Sequence, residues 1–205
     1  NLRNHPLPAI REQAATAYKE QEKNRNVLIP PAWLDALLKP MRGKDLPELI
    51  SILEEKLSSR IHTHSHECGS AIACLIQMGT NARPAAPVLH QALAHESAWV
   101  RVLAARALWK IERDAASIVP ILLRCVEEFA DTSFISDCFA DMGRHAQAAL
   151  PILQYIFDAE ERWSKFAPDP LVIRIDELYR ASARQAIERI QADMAAASNP
   201  DSSSS

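Results

Sequence analysis

Four stretches of the chain superpose on a proline: LPELISIL (46–53), APVLHQAL (86–93), VPILLRCV (119–126) and LPILQYIF (150–157). Two residues after each proline stands a leucine, Leu49, Leu89, Leu122 or Leu153, and six after it another apolar residue, Leu53, Leu93, Val126 or Phe157. Pro47, Pro87, Pro120 and Pro151 lie 40, 33 and 31 residues apart, a period typical of stacked helical pairs. A proline in the first turn of a helix costs no hydrogen bond, because the N–H it lacks has no acceptor there. Each stretch therefore reads as the start of a first helix. In the last three units an alanine stands five residues before the proline (Ala82, Ala115, Ala146); the first unit has Arg42 there.

Between these lie second helices with a pattern of their own. VRVLAARALWKI (100–111) aligns with YRASARQAIERI (179–190), placing Ala104 with Ala183 and Ala107 with Ala186. IREQAATAYKEQ (10–21) aligns as well, through Ala14 and Ala17, while HECGSAIACLIQM (66–78) and TSFISDCFADM (132–142) fill the remaining slots. Small side chains at these positions let neighbouring helices approach closely. One helical pair cannot cover its apolar faces alone, so stacking supplies the core. Composition agrees: the 4 glycines argue against a sheet with many tight turns, and the 13 prolines suit many short helices.

The pattern resembles the HEAT-repeat family, particularly the short PBS-lyase-type variety whose second helix carries a VR…A…AL run. The resemblance covers 46 to 191 and implies an all-α fold, a right-handed α-α superhelix of about four helical pairs. Residues 1–45 are then an N-terminal helical extension and linker, 46–194 the repeats, and 195–205 a disordered tail. Residues 8 to 25 look like a second helix without its first, so the chain is expected to be the C-terminal part of a larger protein. SKFAPDPLV (164–172) reads as a longer loop inside the last repeat.

A net charge of −3 and a pI near 6.2 weigh against a general nucleic-acid binder. No apolar run approaches the roughly 18 residues needed to cross a bilayer. Three of the four cysteines, Cys74, Cys125 and Cys138, fall within apolar helical pattern, which suits reduced thiols and a cytoplasmic setting.

The stretch SAWVRVLAARALWKIER (97–113) carries the strongest candidate for a binding surface. At 100° per residue, Val100, Leu103, Ala104, Ala107, Leu108 and Ile111 share one face, the expected core contact. Trp99, Val102, Arg106, Trp109 and Arg113 fall opposite, and in a superhelix of this kind second helices line the concave side. Tryptophan and arginine dominate binding hot spots, and each indole offers roughly 150–250 Å². Arg106, one turn before Trp109, is placed for a cation–π contact. It also has Asp137 at the equivalent place 31 residues on, which suggests an ion pair between repeats.

Catalytic chemistry leaves fainter traces. HTHSHEC (62–68) gathers His62, His64, His66 and Cys68, ligand types that suit zinc, but no CxxC or HExxH accompanies them in what reads as a loop. HEAT-like deoxyhypusine hydroxylases hold iron on His-Glu pairs within second helices. Here His66-Glu67 and His95-Glu96 are displaced toward the turns, by unequal amounts, so those ligand positions do not transfer. HEAT-like DNA glycosylases use tryptophans around a basic groove; one basic helix is visible here and no second. Phycobilin-attaching lyases share the repeat type, but no residue set marks chromophore handling. The reading is a non-catalytic scaffold without a cofactor, binding a protein or peptide partner. A nucleic-acid-binding module and a metal-dependent enzyme built on 62–68 are the alternatives.

Overall fold

The structure is a computed structural model that describes residues 37–58, 65–128, 132–158 and 170–198. In chain order a 3₁₀ turn Lys39–Met41 precedes α1 (Leu46–Ser58) and α2 (Ser65–Met78). A 3₁₀ segment Gly79–Ala85 then leads into α3 (Ala86–Ala92), followed by α4 (Ala98–Glu112), α5 (Ala115–Glu128) and α6 (Thr132–Met142). A second 3₁₀ segment, Gly143–Ala149, leads into α7 (Leu150–Asp158), and α8 (Pro170–Ser198) closes the chain. The described residues are all-α, with no strand.

Helix starts follow local chemistry. Before α1, Asp45 Oδ1 accepts the Glu48 N–H and Glu48 Oε2 accepts the Asp45 N–H, both at 2.9 Å. This reciprocal capping satisfies two donors that no helical carbonyl can reach. Pro47, Pro87 and Pro151 stand in the first turn of α1, α3 and α7, as the alignment predicts. Pro120 does not: α5 starts at Ala115, so the proline lies inside it. Asp114 starts that helix early, accepting the Ala116 N–H at 3.1 Å and the Ser117 hydroxyl at 2.7 Å.

The aligned leucines set the core register. Leu49, Leu89, Leu122 and Leu153 are all at most 1% exposed, and Ala104, Ala107, Ala183 and Ala186 are fully buried. Burying each such leucine stabilises the fold by roughly 1.5–3 kcal/mol. α1 packs on α2, α3 and α5 on α4, and α7 on α8; among the second helices α2 meets α4 and α6 meets α8, while α4 and α6 touch lightly.

Each described passage from a second helix to the next first helix turns on one left-handed residue: Gly79 (φ 56°), Arg113 (φ 60°) and Gly143 (φ 55°). At the chain's end α8 runs to Ser198, so residues 195–198 are helical where a disordered tail was expected. The alanines there are strong helix formers, and the Ser198 hydroxyl donates to the Met194 carbonyl at 3.0 Å. The extension at 1–36, residues 164–169 of the expected loop and the tail at 199–205 lie outside the described residues, while 170–172, read as the end of that loop, begin α8 on Pro170.

Candidate functional site

α4 is enclosed on more sides than a two-faced helix. It packs against α2, α3 and α5 and touches α6, so every residue from 102 to 109 is buried. The six residues placed on the core face are where they were expected. The opposite stripe is not an open strip, and this corrects the expectation. Val102 is 0% exposed, Trp109 5% and Arg106 7%. Trp99 is half-buried and only Arg113 is exposed. Angular periodicity places residues around one helix; it does not say how many neighbours surround that helix.

Trp99 fills a seam. A Cβ added to Gly69 of α2 would lie 3.1 Å from its Nε1, and its ring sits 5.2 Å from that of Phe134 in α6. Arg106 reaches the same helix. Its Nη2 donates to Asp141 Oδ2 at 3.1 Å, and its guanidinium lies 5.1 Å from the Phe134 ring centre. The ion pair therefore forms with Asp141, one turn beyond Asp137, and the cation–π partner is Phe134 in place of Trp109. Nε and Nη1 of Arg106 are buried without a hydrogen-bond acceptor among the described residues.

Trp109 instead anchors the turn after α6. Its indole N–H donates to the Asp141 carbonyl at 3.1 Å, and its ring stands 5.6 Å from His145, tilted by 51°. Arg113 caps the other side, 4.8 Å from the indole centre. Together they form one wall of a cleft of about 310 Å³ between the end of α4, the Gly143 turn and α8. Arg189 and Asp193 of α8 complete its lining. One Asp193 oxygen accepts the Arg144 N–H at 2.9 Å and lies 2.5 Å from where a Cβ on Gly143 would be. The acids of the cleft are thus engaged: Asp193 by that amide, and Asp141 by Arg106 and, at 4.0 Å, Lys110. Among the described residues neither Arg113 nor Arg189 makes an ion pair.

Of the cleft's residues, sequence reasoning named Trp109 and Arg113 and missed Asp141, Gly143, His145, Arg189 and Asp193. A signal was present. MGTNARPAAPVL (78–89) and MGRHAQAALPIL (142–153) share Met-Gly, two alanines, proline and leucine at the same spacing.

The histidine cluster is differently placed from its expected loop. His66 and Cys68 stand in the first turn of α2, the histidine exposed and the thiol fully buried, so they diverge; His62 and His64 lie outside the described residues. Among the described residues no three potential ligands gather at one point. The His-Glu pairs serve other contacts. His95 Nδ1 accepts the Ser97 N–H at 3.0 Å and Glu67 lies 3.8 Å from Lys56.

The cysteines are all free thiols. Burial pushes Cys68 and Cys74 above their ordinary range and Cys138 up to about 12, which keeps them protonated and poorly nucleophilic. No helix among the described residues is long and apolar enough to cross a membrane. Compared with protein-family models, with curated proteins and with solved structures, the chain matches none.

Proposed function

We propose that the chain is a HEAT-like helical-repeat module that binds an acidic segment of a protein partner, without catalysis. The repeat reading is supported by four proline-aligned first helices whose leucines share one buried register, and by second helices that pack in sequence. The binding reading rests on one observation: Arg113 and Arg189 line the same cleft beside Trp109, and neither has a counter-ion among the described residues. The tryptophans and Arg106 then hold the wall in place, and the exposed guanidiniums make the contact. Guanidinium groups suit such a task, since their planar donors match carboxylates in pairs. Four free thiols fit a reducing, cytoplasmic setting.

The test is an array of short peptides probed with the full chain and with the double variant Arg113→Glu, Arg189→Glu. Acidic peptides should be enriched among the binders and lost on charge reversal. An array with no binder, or with binders indifferent to the reversal, rejects the proposal. Binding should also weaken with added salt, as exposed charge contacts do.

A further inference from the structure

The residue that ends α4 breaks a rule its two counterparts obey. Gly79 and Gly143 are left-handed at the same point of the passage between helices, where the absence of a side chain removes the steric penalty. Arg113 holds that conformation with a full side chain, the one non-glycine residue to do so among the described residues. Strained backbone persists where the surrounding structure demands it, and it concentrates at binding sites. What the strain achieves here is visible: the guanidinium lies over Trp109 on the wall of the cleft.

The turn opposite ends α6 on the same backbone pattern as Gly79 ends α2. Met142 is right-handed (φ −83°, ψ −19°) and Gly143 left-handed, the alternation that ends a helix. An Asp193 oxygen sits 2.9 Å from the Arg144 nitrogen, so that acid is held by the turn and makes no ion pair with Arg189. Cationic donors thus stand around the cleft on two separate elements, Arg113 at the end of α4 and Arg189 on α8, with His145 of the turn beside them. A carboxylate presents two oxygens in one plane. A phosphoryl group presents three terminal oxygens, enough for two guanidiniums at once, and its second charge answers the second guanidinium that has no ion pair among the described residues.

We propose that this cleft is a phosphoryl-binding site that takes a phosphorylated side chain of the partner, Arg113 and Arg189 clasping the group between α4 and α8. The inference rests on the binding reading above and names its ligand.

The full chain is titrated with inorganic phosphate and, at matched ionic strength, with acetate, while the Arg144 amide and Trp109 indole N–H signals are followed by NMR. Phosphate should shift both saturably, at least tenfold more tightly than acetate. Arg113→Gly relieves the strained backbone while removing the guanidinium, so it should keep the fold and weaken phosphate at least tenfold; Arg189→Ala should do likewise. Equal responses to acetate, or an unchanged response in Arg113→Gly, would overturn the site. On the peptide array, phosphoserine peptides should exceed their glutamate counterparts. If the two bind equally, the phosphoryl assignment fails while the acidic-segment reading stands. If phosphate binds and no peptide does, the phosphoryl site survives and the partner reading fails. A single-stranded oligonucleotide that moves the same signals at lower concentration than a phosphoserine peptide would overturn the assignment in favour of a nucleic-acid backbone.

Discussion

At Gly79 and at Gly143 the chain leaves a second helix through a left-handed glycine, φ 56° and 55°. That glycine opens a seven-residue 3₁₀ segment, after which the chain enters the next first helix, with Pro87 or Pro151 in its first turn. The alanines beneath are equally buried, Ala82 and Ala85 in one junction, Ala146 and Ala149 in the other. Their surroundings differ. Around a Cβ placed on Gly79 there is nothing within 4 Å, whereas at Gly143 the Asp193 carboxylate stands in the way. The cause lies in the neighbouring second helix. In the alignment of 100–111 with 179–190, Asp114 corresponds to Asp193. α4 stops at Glu112, Arg113 turns left-handed, and Asp114 is carried away to cap α5. α8 meets no such break and runs on to Ser198, which brings Asp193 onto the turn. One junction is a corner and the other a receptor, and helix length makes the difference.

The largest expected effect tests how firmly the second junction leans on α4. Arg106→Ala removes a buried guanidinium from Asp141, whose carbonyl also holds the Trp109 indole. Breaking a buried pair from one side costs about 3 kcal/mol, here moderated because Asp141 is partly exposed. Denaturant unfolding should show the loss. Hydrogen exchange should quicken at Arg144 and His145 well before Thr80 and Asn81. A loss below about 0.5 kcal/mol, as at an ordinary surface position, would mean the junction stands without α4.

Next comes the pair of glycines. Gly79→Ala should cost roughly 1 kcal/mol, the steric charge for an L side chain in the left-handed region. Gly143→Ala should cost about 2 kcal/mol, since the methyl also evicts Asp193 from the Arg144 amide, a bond worth about 1 kcal/mol. Asp193→Ala should then be harmless in the Gly143→Ala background and harmful alone. Equal losses at both glycines, with additive doubles, would erase the distinction between the junctions.

Much of this architecture was legible because it depends on local rules. Leu49, Leu89 and Leu153 are core because proline marks where their helices begin and helical geometry fixes the face two residues later; Leu122 keeps that register although its helix begins earlier. The cleft was less legible because Asp193 meets Gly143 across 50 positions of chain, and no local period encodes that contact. Arg106 and Trp109 were misplaced for a related reason. Their own helix was read correctly, but the number of helices packed around it is a property of the whole stack. Pro120 shows a third kind of failure, in which the proline was a sound helix signal and Asp114 simply began the helix sooner.

Arg113→Gly makes the third passage resemble the other two. Glycine has no penalty at φ 60°, so the variant should gain roughly 0.5–1 kcal/mol, offset in part by the lost contact with Trp109. A thermal melt reads the balance. A net gain identifies the arginine as a residue kept against stability; a clear loss would make it a structural cap, with its cover over Trp109 outweighing the strain.

The smallest effect separates the two corresponding aspartates. The Ser117 hydroxyl beside Asp114 holds its carboxyl below the ordinary value of 3.8, helped by the Ser117 and Ala116 amides. A carboxyl whose pKa is lower in the folded chain than in the unfolded one stabilises the fold above the unfolded value, and loses that contribution as pH falls through the folded one. Asp114→Ala should therefore be less stable than the parent at neutral pH, and the gap should narrow once the solution is more acidic than about pH 3.8. Paired unfolding curves at neutral and acid pH measure it. A gap that stays constant into acid would show that the ionised carboxylate is not what starts α5 early, and the account of why α4 releases Asp114 while α8 retains Asp193 would have to rest on Arg113 alone.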